Sequence, residues 1–439
     1  MPTVGIVSLG CSKNRVDTEQ MLGMLAARGY ALVADPAEAE ILLVNTCGFI
    51  ASAKEESIDA ILEMAAYKAT GRCRQLLVTG CLAQRYGEEL RAEIPEIDGL
   101  LGVGQYERLF EAMEAAGAGA RPLYNAPCAD FLEGERVLTT PAYSAYVKTG
   151  DGCDNRCSYC AIPLIRGGYR SRPLPDILRE VAGLTARGVR EITLIAQDTT
   201  RYGTDDADNA DGHSRLPTLL RAVAAVPGVE WLRVLYCYPH RVDEALLDAM
   251  AALPNVCPYI DLPIQHIVPR LLTAMNRHGT AEHIRGIAQA IKARGMMLRT
   301  SIIVGFPGET EADFEALLAF VAQARFDRLG AFAYSAEEDT PAADMPGQVP
   351  EEVKQARLDR LMKLQRRIAR EENAKRVGTT CTVLAEGMED GLYVGRSALE
   401  APEIDGKVYF RAQTAPAPGS FVTVRITRAR NYDLIGEAL

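Results

Sequence analysis

The chain of 439 residues has a formal net charge of −10 and is longer than one hydrophobic core usually supports, so two to three domains are expected. Its acidity disfavours a protein that relies on broad electrostatic attraction to nucleic acid, and a basic partner suits it better. No apolar run approaches the length of a membrane span, and residues 1–10 lack the features of a signal peptide, so we expect a cytoplasmic protein.

The first hundred residues alternate short apolar strands with amphipathic helices. Strands are predicted at residues 3–10, 41–46 and 75–80, and helices at 14–29 and from about 53 to 68. Elements of this length in this alternation predict a small, doubly wound parallel sheet, and therefore an α/β N-terminal domain.

A cysteine follows each of these three strands: Cys11, Cys47 and Cys81. Ligands bind at the carboxyl edge of such a sheet, so three thiols that are far apart in sequence are expected to converge there. A single cysteine is often only a small core hydrophobe. Three in the same topological position, each beside a glycine, favour a three-cysteine cluster site over that reading, and eleven cysteines in a reducing compartment favour metal ligands over disulfides.

The remaining cysteines show no such pattern and are interpreted as structural: Cys73, Cys128, Cys237, Cys257 and Cys381. After the first domain, predicted at residues 1–118, a stretch rich in Gly, Ala and Pro indicates a linker at 119–142. Beyond it we predict a core at residues 143–376 and a third domain at 377–439.

A strand at 145–148 leads into a loop that carries Cys153, Cys157 and Cys160 in a CxxxCxxC spacing. Such a loop can hold three irons of a cubane cluster and leave the fourth without a protein ligand, because no further cysteine follows until Cys237. A three-cysteine zinc site and buried core thiols are the alternatives. Structural zinc usually needs a closed set of four ligands, and no histidine lies near this loop.

The spacing, with Tyr159 just before the last cysteine, resembles the radical S-adenosylmethionine (SAM) superfamily. In that superfamily the amino and carboxylate groups of SAM chelate the open iron. The resemblance implies that the backbone of Tyr159 reaches the adenine of SAM.

Six strand candidates separated by helical patterns predict a partial (β/α) barrel with its function at the carboxyl ends of the strands. They lie at 145–148, 191–196, 230–238, 259–263, 297–304 and 328–334. The fifth is followed by a glycine-rich turn, and the superfamily uses a similar turn against SAM, so Gly305, Pro307 and Gly308 are predicted SAM contacts. His240 and His266 receive no role, because a hydrogen-bonded structural histidine is at least as common as a catalytic one. No catalytic residue is assigned beyond the two sets of cysteines.

A charged amphipathic helix at 351–376 precedes short strands with Gly and Pro turns, which predict a small β-barrel of roughly five strands. From Thr379 to Leu439 the chain has six basic and eight acidic residues, a net charge of −2. A barrel that grips RNA should be basic, because phosphate neutralisation supplies most of its affinity.

Together the three segments resemble, over essentially the whole chain, the methylthiotransferase family of radical SAM enzymes, whose C-terminal barrel is of the type called TRAM. One branch of that family modifies tRNA adenosines and another modifies an aspartate of ribosomal protein S-twelve. The sequence words similar to the ribosomal branch are SLGCSKNRVDTE, VNTCGFI, GCDNRCSYCAIPLIRGGYRSRP, AQDTTRYG and DLPIQH.

The resemblance implies two 4Fe-4S clusters, one on Cys11, Cys47 and Cys81 and one on the CxxxCxxC loop. A first SAM would methylate a sulfur on the first cluster, and a second SAM would be cleaved at the second cluster to a deoxyadenosyl radical. That radical would take hydrogen from the aspartate β-carbon, which then receives the methylthio group. An unactivated C–H bond offers no acid–base handle, so a radical is needed.

The partners implied are ribosomal protein S-twelve, a basic substrate met on the ribosomal small subunit, and an electron donor. No membrane and no direct tRNA substrate are expected. Two other functions stay open on the residues alone: the same chemistry on a tRNA adenosine, and a non-catalytic iron–sulfur electron carrier or sensor that binds a partner through its barrel.

Overall fold

The computed structural model describes residues 1–127 and 131–439, which form two compact units. Cys128, predicted to be structural, lies outside the described residues. The first unit comprises residues 1–140, 146–180 and 335–343, and the second comprises 141–145, 181–334 and 344–439. The domain boundaries drawn from sequence stay a prediction. In the described ranges, none of the helices combines the length and the apolar character needed to cross a membrane.

The first unit contains a six-stranded parallel sheet in the order β2-β1-β3-β4-β5-β6. The strands are β1 (Thr3–Ser8), β2 (Ala31–Leu32), β3 (Ile41–Thr46), β4 (Gln75–Gly80), β5 (Gly99–Leu101) and β6 (Leu123–Tyr124). The helices that connect them are α1 (Ser12–Ala27), α2 (Ala51–Thr70), α3 (Cys81–Glu93) and α4 (Leu109–Gly117). The predicted parallel sheet is confirmed. Its last strand, β6, lies within the predicted linker at 119–142. Two residues are too few to show the alternating pattern of a strand.

Alternate residues of β3 pack on opposite faces of this sheet. Leu42 and Val44 join a core cluster with residues of α2 and α3. Ile41 and Leu43 join a second cluster with residues of α1 and α4. Because both faces are covered, the strand is a continuous apolar run rather than an alternating one.

The rest of the first unit contains the cysteine loop. Its elements are β7 (Ser144–Lys148), β8 (Gly150–Asp151), α5 (Ile162–Arg166), β9 (Arg170–Ser171) and α6 (Leu174–Ala186), of which β7 and α6 extend into the second unit. Strand β8 pairs antiparallel with β9. A small core cluster of Cys81, Val103, Ala161 and Ile165 packs α5 against α3.

The second unit contains the remaining core strands and helices, with parallel pairing of β10 with β11, β12 with β13, and β13 with β14. Its strands are β10 (Glu191–Ile195), β11 (Trp231–Val234), β12 (Tyr259–Asp261), β13 (Met297–Val304) and β14 (Arg328–Ala333). Its helices are α7 (Leu216–Ala224), α8 (Glu244–Ala252), α9 (Pro269–Ala274), α10 (Ala281–Ala293) and α11 (Glu311–Ala324). With β7, all six predicted core strands are present. Strand β11 ends four residues earlier than predicted, and Tyr236 beyond it has a left-handed backbone (φ 63°) that an extended strand excludes.

A long helix and a closed barrel end the chain. They are α12 (Glu351–Ala374), β15 (Thr380–Glu389), β16 (Leu392–Ser397), β17 (Val408–Arg411), β18 (Phe421–Ala429) and β19 (Leu434–Ala438). The barrel closes in the order β15-β16-β17-β19-β18 around a core that includes Val383, Phe410 and Val424. The predicted five-stranded barrel is confirmed.

Candidate functional site

Three predicted ligands follow neighbouring strands at the carboxyl edge of the six-stranded sheet. Cys11 is the N-cap residue of α1, Cys47 follows β3, and Cys81 begins α3 directly after β4. The strand order places β1, β3 and β4 side by side. The thiol groups are close enough for charge on Cys11 to act on both Cys47 and Cys81. The structure thus brings together the three cysteines whose convergence the sequence predicted.

Glycines beside these cysteines allow the strand ends to approach closely. A Cβ on Gly10 would lie 3.1 Å from the Cβ and 3.3 Å from the Sγ of Cys47. A Cβ on Gly48 would lie 3.0 Å from the carbonyl carbon of Cys81. Larger residues at these two positions would push the cysteine-bearing loops apart.

Asn14, on the first turn of α1, links the same strand ends. Its side-chain amide donates to the carbonyl of Leu9 at 3.2 Å and to the carbonyl of Thr46 at 2.9 Å. Its Oδ1 lies 3.5 Å from the Sγ of Cys81. The loops after three strands are therefore fixed by one buried side chain.

The three thiols differ in how readily they ionise. Burial opposes ionisation of Cys11, but the positive charges of Lys13 and Arg166, together with hydrogen bonds from the backbone amides of Lys13 and Asn14, outweigh it, and the pKa of this thiol is lowered. Burial raises the pKa of Cys47, and it raises the pKa of Cys81 to about 12 even though Arg166 opposes the shift. The thiolate is the form that binds metal, so a metal group at this site would deprotonate Cys47 and Cys81 on binding.

The second set of predicted ligands, on the loop after β8, comprises Cys153, Cys157 and Cys160. The amide of Cys153 donates to the carbonyl of Gly167 at 3.0 Å, so the loop is held by the chain that returns towards β9. Gly152 has a left-handed backbone (φ 75°), and a Cβ there would lie 2.0 Å from the carbonyl oxygen of Gly168. Only glycine fits this position, which begins the cysteine loop.

Arg166, at the end of α5, contacts a cysteine of the first set and a residue that stands close in sequence to the second. Its Nη1 donates to both carboxylate oxygens of Asp151, at 3.0 and 2.9 Å. Its Nη2 donates to Asn14 Oδ1 at 2.6 Å and Asp17 Oδ2 at 3.1 Å, and lies 3.8 Å from the Sγ of Cys81. Asp151 stands two residues before Cys153, so a single guanidinium contacts residues of both sites.

Lys148 completes a buried network of four charges. Its Nζ lies 2.6 Å from Asp17 Oδ1 and 2.8 Å from Asp151 Oδ2. The side chains of Arg166 and Asp17 are 1% and 0% exposed. Two cations and two carboxylates balance one another, which is the condition under which buried charges are tolerated. Burial alone would raise the pKa of Asp151, but Arg166 and Lys148 hold it well below its usual range.

This network is not predictable from local sequence patterns. Asn14, Asp17 and Arg166 lie inside the words that carried the family resemblance, yet no local period marks them as partners. One signal was available in the sequence: Lys148 ends a short apolar strand. A lysine that is buried with such a strand needs a carboxylate partner.

The predicted SAM contacts occupy two different units. Tyr159 is half-buried in the first unit. In the second, Gly305 and Gly308 have left-handed backbones (φ 73° and 76°). The amide of Gly305 donates to the carboxylate of Glu309 at 2.9 Å, and the amide of Gly308 to the carbonyl of Gly347 at 2.8 Å. The amides of Gly305 and Gly308 are thus already engaged, and Pro307 has no N–H. A SAM contact by this turn would therefore use atoms other than these amides, and it stays a prediction.

The two histidines left without a role have structural surroundings. His266 accepts the amide of Val268 at its Nδ1, at 3.1 Å, which assigns the ring proton to Nε2. That Nε2 lies 3.6 Å from Glu309 Oε2. Burial and the nearby positive charge of Arg241 lower the pKa of His240 to about 4, so its ring is neutral at pH 7.

The other cysteines that the structure describes lie outside both sets. Burial raises the pKa of each thiol, to about 11 for Cys257 and well above the ordinary value for Cys237. The same holds for Cys73 and Cys381. Burial raises the pKa of Cys47 and Cys81 as well, so position in the fold, and not ionisation, separates these four cysteines from the two sets.

The first set suits a group held by three thiolates. Charge on Cys11 acts on both of the other thiols, the glycines leave their loops close together, and Arg166 places a positive charge near the sulfur of Cys81. Across residues 1–127 and 131–439, no three His, Cys, Asp or Glu side chains are placed to hold a single metal ion. A cubane cluster is larger than one ion and spaces its ligands more widely, so that finding concerns single ions only.

Three family models match the chain. Residues 3–102 match the model described as uncharacterized protein family UPF0004, residues 147–321 the radical SAM superfamily, and residues 377–439 the TRAM domain. The matched segments coincide with the N-terminal sheet, the core that carries the second cysteine loop, and the barrel.

Curated relatives and a solved structure are similar to most of the chain. The ribosomal protein uS12 methylthiotransferase RimO of Desulforamulus reducens is 50% identical over 100% of this chain and 99% of its own length. The protein of the same name from Desulfitobacterium hafniense is 48% identical over 99% of this chain and 98% of its own. The radical SAM methyltransferase TsrM of Kitasatospora setae, solved with cobalamin and a 4Fe-4S cluster, has a TM-score of 0.59 at 15% identity, covering 90% of this chain and 81% of TsrM. At that identity the likeness to TsrM concerns the fold alone.

Proposed function

The chain belongs to the family of ribosomal protein uS12 methylthiotransferases, and from this premise we propose that it adds a methylthio group to the β-carbon of an aspartate in ribosomal protein uS12 (S-twelve). One observation carries the proposal: Cys81 of the first cysteine set and Asp151, beside the second, both contact Arg166. Two sets of thiols in one compact unit suit a reaction that needs two sulfur-ligated groups. The 50% identity to a relative of that name over the whole chain supports the same conclusion.

Each set of thiols has its own task in this proposal. Cys11, Cys47 and Cys81 would hold one 4Fe-4S cluster, and the CxxxCxxC loop would hold a second, whose open iron would bind SAM. When bound, these groups supply the electron that cleaves SAM and the methylthio group that is transferred.

The chain's own residues prepare the sites for those groups. Lys13 and Arg166 help to lower the pKa of the Cys11 thiol, so Cys11 ionises more readily than Cys47 and Cys81, whose pKa values are raised. Arg166 faces the thiols with a positive charge that is held in place by carboxylates, which offsets the negative charge that the sulfur ligands bring. Asn14 holds the strand ends at a separation that loop motion cannot widen.

The C-terminal barrel supports a protein substrate rather than an RNA. Residues 379–439 carry a net charge of −2, and the whole chain carries −10. Such a surface attracts a basic ribosomal protein, whereas affinity for RNA comes mainly from neutralising phosphates. We place the reaction in the cytoplasm, on the ribosomal small subunit, with an electron donor as the further partner.

The test is anaerobic incubation of the reconstituted enzyme with SAM, a reductant and purified uS12, followed by mass spectrometry. We expect uS12 to gain one methylthio group on an aspartate. Cys157→Ala should abolish the gain because it removes a proposed cluster ligand. Cys73→Ala, a buried cysteine of the same unit outside both sets, should retain it.

Two other outcomes would contradict the proposal. Methylthiolated adenosine in bulk tRNA, together with unmodified uS12, would show that the chain performs the same chemistry on tRNA, as the other branch of the family does. No SAM cleavage by the reduced wild-type enzyme would indicate an iron–sulfur electron carrier or sensor.

A further inference from the structure

Arg166 is distinguished from the other buried arginines of the first unit by its contact with a proposed cluster ligand. Its guanidinium Nη2 lies 3.8 Å from the Sγ of Cys81, which is within hydrogen-bonding distance of sulfur. The side chain is 1% exposed, so water does not screen the contact. Its positive charge also acts on the thiols of Cys11 and Cys47.

The guanidinium is held in one orientation by acceptors on two sides. Asp151 accepts from Nη1 through both of its oxygens, which anchors that side of the guanidinium group. Asn14 and Asp17 accept from Nη2 and direct it towards Cys81. Three acceptors therefore hold the guanidinium beside the sulfur of Cys81.

The fixed carboxylates do not cancel this effect. Asp17 and Asp151 are shared between Arg166 and Lys148, so the network as a whole is neutral, with two cations and two anions. Within it, the group that contacts the sulfur is the cation. A donor N–H and a positive charge at a cluster sulfur both stabilise the form with one more electron.

We propose that Arg166 is a positioning residue that raises the reduction potential of the cluster held by Cys11, Cys47 and Cys81. This inference rests on the proposed function, because it requires a cluster at those cysteines. It adds that the chain controls this cluster through a residue of the segment that carries the second cysteine loop.

The potential can be measured in a full-length variant that retains only the first set of ligands, Cys153→Ala/Cys157→Ala/Cys160→Ala. The protein is reconstituted anaerobically, titrated with dithionite in the presence of mediators, and followed by electron paramagnetic resonance. Dithionite supplies the single electron that reduces the cluster. In this background Arg166→Gln should lower the midpoint potential, so that the reduced-to-oxidised ratio at a fixed potential falls about tenfold, or ~59 mV for a one-electron couple.

Two further variants separate tuning from general disruption. Arg166→Lys keeps the positive charge with a single donor group and should shift the potential in the same direction by less. Arg136→Gln removes an arginine that is 2% exposed in the same unit and is paired with Glu19 and Glu180, and it should leave the potential unchanged.

The proposal is overturned if Arg166→Gln leaves the potential unchanged, or if Arg136→Gln shifts it equally. It is also overturned if neither Arg166 variant binds iron while Arg136→Gln does, because Arg166 would then assemble the site rather than tune it. A background that binds no iron would overturn the cluster assignment together with this inference. A wild-type enzyme that leaves uS12 unmodified while the shift is observed would remove only the proposed function.

Discussion

At the scale of single residues, the first cysteine site depends on positions that admit no side chain. Gly80 ends β4 with a left-handed backbone (φ 94°), and a Cβ there would lie 2.3 Å from Asn45 Oδ1 and 2.6 Å from the carbonyl oxygen of Thr46. The next residue is Cys81. The glycine therefore sets where β4 stops and where the cysteine begins α3.

Gly80→Ala should lower the free energy of unfolding by about 2 kcal/mol or more. The alanine would have a strained positive φ, and its Cβ would also clash with the neighbouring strand. It should also reduce the iron bound by the reconstituted protein, since Cys81 would be displaced. Urea unfolding and iron analysis measure the two effects. Gly29→Ala is the control: Gly29 also has a positive φ (81°), but nothing lies within 4 Å of a Cβ there, so the substitution should lower the free energy of unfolding by about 1 kcal/mol and leave the iron content unchanged. Equal losses in the two variants would contradict the role given to the clash.

The sequence predicted the cysteines but not their charged neighbours. Cys11, Cys47 and Cys81 could be predicted because each follows a strand. Ligands of such sheets generally bind at the edge where the parallel strands end. Arg166 could not be found in this way, because its contact with Cys81 depends on how α5 packs on α3.

At the scale of elements, one buried carboxylate joins a helix, a strand and the barrel in the second unit. Glu400 accepts from Arg376, just beyond α12, from Arg328 of β14 at 3.2 Å, and from the amide of Ser397 at 3.0 Å. Burial alone would raise the pKa of Glu400, but Arg376 and Arg328 outweigh burial and lower it to about 2.

This carboxylate should make the protein sensitive to acid. A pKa that is lower in the folded than in the unfolded state contributes stability that is complete above the unfolded value of 4.5 and is lost as the pH falls towards about 2. The loss is on the order of 3 kcal/mol. Urea unfolding midpoints between pH 5 and pH 2.5 should fall steeply for the wild type and less steeply for Glu400→Gln. The exposed Glu437→Gln, also in the barrel, should keep the wild-type slope, and a wild-type slope in Glu400→Gln would refute the assignment.

Element types were predicted better than element ends. Residues 297–304 were predicted as a strand and form β13 with the same bounds, because apolar residues stand at both of its ends. The predicted end of β11 was wrong, because nothing in the sequence indicates that Tyr236 has a left-handed backbone. Strand β19 is short and contains a glycine (LIGEA), so its sequence alone gives little indication of a strand.

At the scale of the whole molecule, two separate sets of ligands should give two separable pools of iron. Cys153→Ala/Cys157→Ala/Cys160→Ala protein should retain about half of the wild-type iron after reconstitution, and so should Cys11→Ala/Cys47→Ala/Cys81→Ala protein. Combining the six substitutions should remove it. Iron and sulfide analysis together with absorbance spectra measures this, and undiminished iron in either triple variant would show that its cysteines are not ligands.

The sequence by itself determined the fold class and the family, and it predicted the two sets of cysteines. These follow from patterns that short stretches of chain carry: the period of buried residues, the CxxxCxxC spacing, and the position of a cysteine after each strand. Only the tertiary structure decided which charges surround the cysteines. Arg166 reaches Asn14 across 152 residues of chain and Cys81 across 85, and Lys148 reaches Asp17 across 131. Contacts at such separations depend on the packing of complete elements, because a buried cation is stable only where the fold brings carboxylates to meet it.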